Sequence, residues 1–260
     1  MKKFVALYDM HFGWERGLVK GKWVEKLACN IKAIGVVKKF INDFKPDILI
    51  LGGDQLNCGP VSHWHQGKPI LSEKFRLKDE MDQLNQVILK PYDNIPKKIW
   101  LDGNHEAWIT DFISANPGIQ GLVEPVNYLN LEKRGWDIYS QGEVARVGKL
   151  NFVHGDVVLR QASTVNPART LLGAYHRNIR AGHIHSYSAA VQKTAVDSQD
   201  WHSAIVVPSL SVIEPFWVKN RPVNFVNGFL YGYVYPDGSF TDQVVLINKN
   251  QFTLGGKKYE

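Results

Sequence analysis

An α/β fold of two packed sheets with outer helices is predicted by three features of the chain. Up to Leu101, apolar runs and helical patterns alternate as strand, helix, strand, helix, strand, the pattern of a parallel sheet with helical crossovers. From Trp136 onward, short strands separated by glycine turns dominate. No linker-like stretch divides the two parts, so residues 1–260 read as one domain.

The first strand is expected from Phe4 to Tyr8, and it runs directly into Asp9-Met10-His11. A helix is expected from Trp23 to Phe44. Val24, Leu27, Ile31, Ile34, Val37, Ile41 and Phe44 recur there at helical spacing, and Pro46 stops it. Ile48-Leu49-Ile50-Leu51 is an unbroken apolar run, as in a strand buried on both faces, and it ends in Gly52-Gly53-Asp54. Residues 59–72 read as an irregular loop carrying His63, Trp64 and His65. Leu77, Met81, Leu84 and Ile88 mark a second helix from Glu73 to Tyr92.

Asn94-Ile95-Pro96 turns the chain into a buried strand, Ile99-Trp100-Leu101. Gly103 then permits a sharp turn, because it has no Cβ to forbid positive φ. Asn104 and His105 follow it, in the crevice beyond a strand's carboxyl end where α/β sheets bind ligands. Residues 108–134 read as broken helix with a turn at Asn116-Pro117-Gly118. Strands are expected at Trp136–Tyr139, Glu143–Val147 and Leu150–Val153, the last ending in His154-Gly155-Asp156. A helix from Ala162 to Tyr175 precedes Ile179-Arg180-Ala181, which leads into Gly182-His183-Ile184-His185. The remainder reads as strands at Tyr187–Val196, Ser203–Val207, Phe229–Tyr235 and Phe240–Ile247.

Composition narrows the class. A hydrophobic content of 44% is enough for a sizeable core. Two cysteines, Cys29 and Cys58, make no disulfide framework and fit a reducing compartment such as the cytoplasm. No apolar stretch is long enough to cross a bilayer, and Asp9 and His11 interrupt the only run near the N-terminus, so neither a membrane span nor a signal peptide is expected. The formal charge of +6 favours anionic partners, although Lys and Arg are scattered rather than clustered.

Five times an apolar strand ends in side chains that bind metals: Asp9 and His11, Asp54, Asn104 and His105, His154, and His183 with His185. Residues i and i+2 of a strand point to one side, which suits both Asp9-x-His11 and His183-x-His185. Any one group alone also fits a satisfied polar turn; the five together point to metal. Hard oxygen with imidazole fits Mn, Fe or Zn, and the lack of cysteine in the set disfavours a structural zinc site.

Asp9-x-His11, Gly53-Asp54, Gly103-Asn104-His105-Glu106, His154 and Gly182-His183-x-His185, in this order, resemble the calcineurin-like metallophosphoesterases. The resemblance spans roughly residues 5 to 185. It implies a four-layer α/β/β/α sandwich of two mixed sheets flanked by helices. It also implies two divalent cations, Mn first and Fe or Zn as alternatives. Asp9, His11 and His185 would hold one cation, and Asn104, His154 and His183 the other, with Asp54 between them. Two cations bring more positive charge than Asp9 and Asp54 return, which attracts phosphate and lets a bridging hydroxide attack phosphorus. His105 takes the place of the catalytic histidine and would protonate the leaving oxygen.

This chain departs from the phosphoprotein-phosphatase branch. That branch carries a phosphate-gripping arginine after Gly-Asp, whereas here the stretch reads Gln55-Leu56-Asn57-Cys58-Gly59. The expected activity is therefore hydrolysis of phosphodiesters, of nucleic acid (DNA or RNA) or of nucleotides. Phosphomonoesterase and a non-catalytic scaffold are the alternatives. His63 and His65 would line a substrate rim or only a surface loop. Arg177 and Arg180 precede the last ligand pair and would meet phosphate, against the competing account of a helix-end arginine facing solvent.

Overall fold

A computed structural model of the protein describes residues 1–159, 165–193, 201–219 and 221–260. Strand β1 (Lys2–Leu7) is followed by β2 (Trp14–Val19), β3 (Lys22–Leu27), helix α1 (Ile31–Phe44) and β4 (Ile48–Leu51). Helix α2 (Leu77–Leu84), β5 (Lys97–Leu101), α3 (Asn104–Ala115), the short α4 (Pro125–Tyr128) and β6 (Trp136–Tyr139) come next. Then come β7 (Ala145–Val147), β8 (Leu150–Phe152), α5 (Pro167–Tyr175), β9 (Ile179–Ala181), β10 (Ser188–Lys193) and β11 (Trp201–Val206). Strands β12 (Asn227–Val234), β13 (Phe240–Ile247), β14 (Phe252–Leu254) and β15 (Lys257–Tyr259) finish the chain.

Two mixed sheets carry the fold. The first has the order β13-β12-β1-β4-β5-β6, parallel from β1 to β6 with β12 and β13 antiparallel at one side. The second has the order β10-β11-β9-β8-β7. Alternation along the strands builds the layers. Phe4, Ala6, Ile48, Ile50, Ile99 and Leu101 face the second sheet, where they meet Ala145, Leu150 and Phe152. Val5, Leu7, Leu49, Leu51 and Trp100 face outward onto Ile34, Val37 and Ile41 of α1 and Met81 of α2. On the far side, Leu171 and Leu172 of α5 cover Ile179, Ala204 and Val206. Helix, sheet, sheet, helix is the four-layer α/β/β/α sandwich. Among the described residues no helix is long and apolar enough to cross a membrane.

Two expectations are corrected. The helix expected from Trp23 begins at Ile31, and residues 14–27 form the β2–β3 hairpin instead. Lys20 and Gly21, both at positive φ, make the two-residue turn such hairpins favour. Asn30 caps α1 by accepting from the Ala33 amide at 3.1 Å. Val24, counted in the helical pattern, is 40% exposed and belongs to no buried stripe. The second helix starts at Leu77 rather than Glu73, then continues through a π turn at Asn85–Leu89 and a 3-10 turn at Lys90–Tyr92. Pro91 has no amide to donate, so the regular ladder fails there. Helix α5 begins at Pro167, with Asn166 as its cap. The expected start at Ala162 and the expected strand end at Val196 lie outside the described residues.

Candidate metal centre

The carboxyl ends of β1, β4 and β5 and of β8 and β9 meet at one edge of the inter-sheet layer, and the expected ligands converge there. Three groups place their ligand atoms within 4.8 Å of one another: Asp9, His11 and His185; His11, Asp54 and His105; Asp54, His154 and His183. His11 and His185 approach Nε2 to Nε2 at 3.2 Å. Asp54 Oδ2 lies 3.3 Å from His154 Nε2 and 3.8 Å from Nε2 of both His11 and His105. Asn104 Oδ1 lies 3.2 Å from His154 Nε2, and His185 Nε2 is 3.5 Å from Asp9 Oδ1.

The ligands do not sit on strands, contrary to the i, i+2 argument. Asp9, His11, Asp54, His183 and His185 all have φ between 50° and 73°, the left-handed region just past the strand ends. Such residues cost on the order of 1–3 kcal/mol each and persist only where surroundings over-determine them. Here backbone bonds do so: Asp9 N donates to Gly53 O and His11 N to Asp54 O, and His183 N donates to the Asp9 carboxylate at 2.9 Å.

Buried Glu106, in the first turn of α3, ties three parts together. It accepts from the amides of Asp54 (2.9 Å), Leu56 (3.0 Å) and Gly103 (2.9 Å). Burial, with Asp54 and Asp102 nearby, pushes its carboxyl up to about 8. Two glycines are required by close approach. A Cβ on Gly53, at φ 102°, would overlap the His154 ring; Gly103 is extended at φ −97° rather than at the positive φ expected, and it is needed because a Cβ there would overlap the Asp54 carboxylate.

Neighbouring groups aim the imidazoles. His105 Nδ1 donates to the Asn57 carbonyl at 2.7 Å, which turns Nε2 toward Asp54. His154 Nδ1 donates to the Gly52 carbonyl at 3.1 Å. His185 Nδ1 meets Ser211 Oγ at 3.2 Å. Burial holds His11 well below the ordinary imidazole value, and His105 lies below it for the same reason. His183 is lowered to about 4 by burial and by His154. Burial works against charge on His154 too, yet Asp54 beside it raises it to about 10. Asp54 is held well below the carboxylate range; burial opposes this, and the surrounding histidines outweigh it.

This cluster fits divalent cations. Two donors on one cation at about 2.1 Å are roughly 3.0–3.4 Å apart, close to the 3.2–3.5 Å of the nearest donor pairs. His183 Nδ1 is buried with no hydrogen-bond partner, a costly state for an imidazole without a ligand. Neutral His11 and His183 and ionised Asp54 are already in the forms that bind metal, whereas His154 would have to give up its proton to a cation.

The peripheral candidates divide. Arg180 does not reach the cluster. Its guanidinium is fully buried, paired with Asp242 of β13 and bonded to Ser203, because a core arginine must spend its donors locally. Arg177 is exposed and lies five residues before Gly182, at most roughly 16 Å from it along the chain. His63 is exposed and meets Trp108, while His65 is half-buried and lowered chiefly by burial. Glu106, Ser211 and the Gly52 carbonyl had no role assigned from sequence. Glu106 carried a local signal, as an acid three residues after a turn glycine. Ser211 carried none.

The family model described as calcineurin-like phosphoesterase matches residues 4–204. A comparison with curated protein sequences finds no match. Among solved structures, a conserved protein of Streptococcus pneumoniae described as a predicted phosphoesterase aligns with a TM-score of 0.40 at 10% identity, over 99% of this chain and 97% of its own. The phosphoesterase Yfce of E. coli aligns with a TM-score of 0.41 at 17% identity, over 95% of this chain and 100% of its own.

Proposed function

The chain belongs to the calcineurin-like phosphoesterase family, whose chemistry is metal-dependent phosphoester hydrolysis, and we propose that this member is a phosphodiesterase acting on nucleic acid or nucleotides. The observation that carries the diester preference is the position of the two arginines. Arg180 is locked to Asp242, and Arg177 lies exposed before β9, at the end opposite the ligand turn, so we read neither as a fork for a terminal phosphate dianion. A diester carries one negative charge and needs less cationic grip.

In this reading Asp9, His11 and His185 would hold one cation and Asn104, His154 and His183 the other, with Asp54 available to both. Manganese suits the oxygen and imidazole set. Two bound cations would supply Lewis acidity toward the phosphoryl group and toward water. His105 moves the proton. Its Nδ1 is committed to the Asn57 carbonyl, so Nε2 is the atom that exchanges it with the leaving oxygen. Burial disfavours the imidazolium, and a phosphate anion against Nε2 restores the charge that favours it. Glu106 keeps Asp54 in place by holding the backbone on both sides of it.

Elemental analysis followed by assay of bis- and mono-nitrophenyl phosphate with added Mn tests this. Two metals and preferred diester cleavage are expected. Preference for the monoester, with DNA, RNA and cyclic nucleotides untouched, would reverse the substrate assignment. Activity on nucleic acid should also fall as salt rises, because phosphate contacts release counterions.

A further inference from the structure

A chain of aromatic rings crosses the cluster and ends in an exposed tryptophan on either side. On one side the Trp108 indole lies against His105, with centroids 3.9 Å apart and planes at 32°. His63 meets Trp108 edge-on at 5.3 Å and lies 4.6 Å from Trp64. On the other side Phe225 lies 5.0 Å from His185, and Trp217 lies 5.7 Å from Phe225. His11 joins the two arms, 4.4 Å from His105 and 5.0 Å from His185. Trp64 is 66% exposed and Trp217 is 55% exposed.

Exposed tryptophans need no explanation singly, and Trp14, Trp23 and Trp201 are exposed as well. Trp64 and Trp217, far apart in sequence, standing at opposite ends of one ring chain through the reaction centre, do. We propose that Trp64 and Trp217 are stacking platforms for the nucleobases on either side of the scissile phosphodiester, which makes the substrate single-stranded nucleic acid or a short oligonucleotide. The proposal rests on the phosphodiesterase reading above. Every base has a π-face, so an indole binds any base by stacking and shows little sequence preference. A duplex hides those faces within its own stack, whereas an unpaired strand can splay its bases outward. A diester carries a substituent on each side of phosphorus, matching an aromatic arm on each side of the cluster. A monoester would leave one arm without a partner. With Arg180 spent on Asp242, stacking is a means of grip on the two arms that needs no arginine.

The test uses the metal-loaded protein on a single-stranded oligonucleotide, its duplex, and an abasic strand with the same sugar-phosphate chain. The single strand should be cleaved fastest. Trp64→Ala and Trp217→Ala should each lower the ratio of kcat/KM on the base-bearing strand to that on the abasic strand by about 5- to 100-fold, mainly through KM. Trp64→Phe and Trp217→Phe should recover most of the loss. Both indoles are more than half exposed, so folding should survive, and a melting curve checks this. Tryptophan fluorescence, quenched by the base-bearing strand but not by the abasic one in metal-free protein, gives a reading that needs no variant. Equal quenching by both strands, or an unchanged ratio in both alanine variants, overturns the proposal. Cleavage of abasic and base-bearing strands at one rate overturns it while sparing the phosphodiesterase reading. Hydrolysis of monoesters with neither strand cut overturns that reading, and the proposal with it.

Discussion

The two sheets bring unlike chemistry to their shared edge. The six-stranded sheet delivers the oxygen donors of the cluster, Asp9, Asp54 and Asn104, along with His11 and His105. The five-stranded sheet delivers imidazoles: His154, His183 and His185. Their support differs as well. On the oxygen side, Glu106 binds three amides and its helix grows directly from the ligand turn. On the imidazole side each ring has at most one fixing contact to Nδ1: the Gly52 carbonyl for His154, Ser211 for His185, and none for His183. The Gly52 contact reaches across from the other sheet, so His154 is oriented by a layer it does not belong to. The negative charge therefore sits on the firmly held half, and the softer half supplies imidazole donors that can adjust to a cation.

The difference can be broken most severely from the oxygen side. Asp54→Asn removes a charge that three histidines face, and activity should fall well beyond the roughly 10- to 100-fold that an outer contact is worth. Metal content by mass spectrometry should fall as well. Two tightly held metals with near-normal turnover would sink the assignment.

His105→Ala comes next. An alkoxide leaves poorly without a proton, so alkyl esters should slow by about 10²–10⁴-fold, and nitrophenyl esters far less, with metal content unchanged. Loss of a metal instead would make His105 a ligand, as its grouping with His11 and Asp54 allows.

Ser211→Ala probes the imidazole side alone. It removes the partner of His185 Nδ1, and metal affinity should drop by about 10- to 100-fold, with the cation at Asp9 and His11 lost first. Unchanged metal binding would show that His185 needs no second contact.

The smallest effect is on stability without metal. In the fold His154 is raised from 6.5 to about 10 and Glu106 from 4.5 to about 8. Both hold protons more tightly when folded, so their contributions are complete below the unfolded values and disappear as pH rises through the folded ones. His183, lowered to about 4, acts in the opposite sense and offsets Glu106 up to pH 6.5. Above that nothing among these three offsets the loss. Metal-free protein should lose a few degrees of melting temperature between pH 6.5 and 10. A melting temperature that climbs over that range would contradict this.

Much of the architecture was legible because it is written locally. Apolar runs at β4 and β5 mark doubly buried strands, and the groups after β1, β4, β5, β8 and β9 reveal themselves by following such strands. Which residue types gather at the edge is thus a property of the sequence. What it could not decide depends on partners remote in the chain. The hairpin at 14–27 displaced a helical pattern because Lys20-Gly21 turns the chain and Val24 has no core to face. Arg180 is withdrawn from the site by Asp242, 62 residues away, and His185 is oriented by Ser211, 26 residues away. The left-handed backbone of five ligands is likewise set by hydrogen bonds between loops of different strands. Periodicity records which face of an element is apolar. It carries no information about which polar group from elsewhere will meet a side chain once the layers close, and that choice belongs to the tertiary structure.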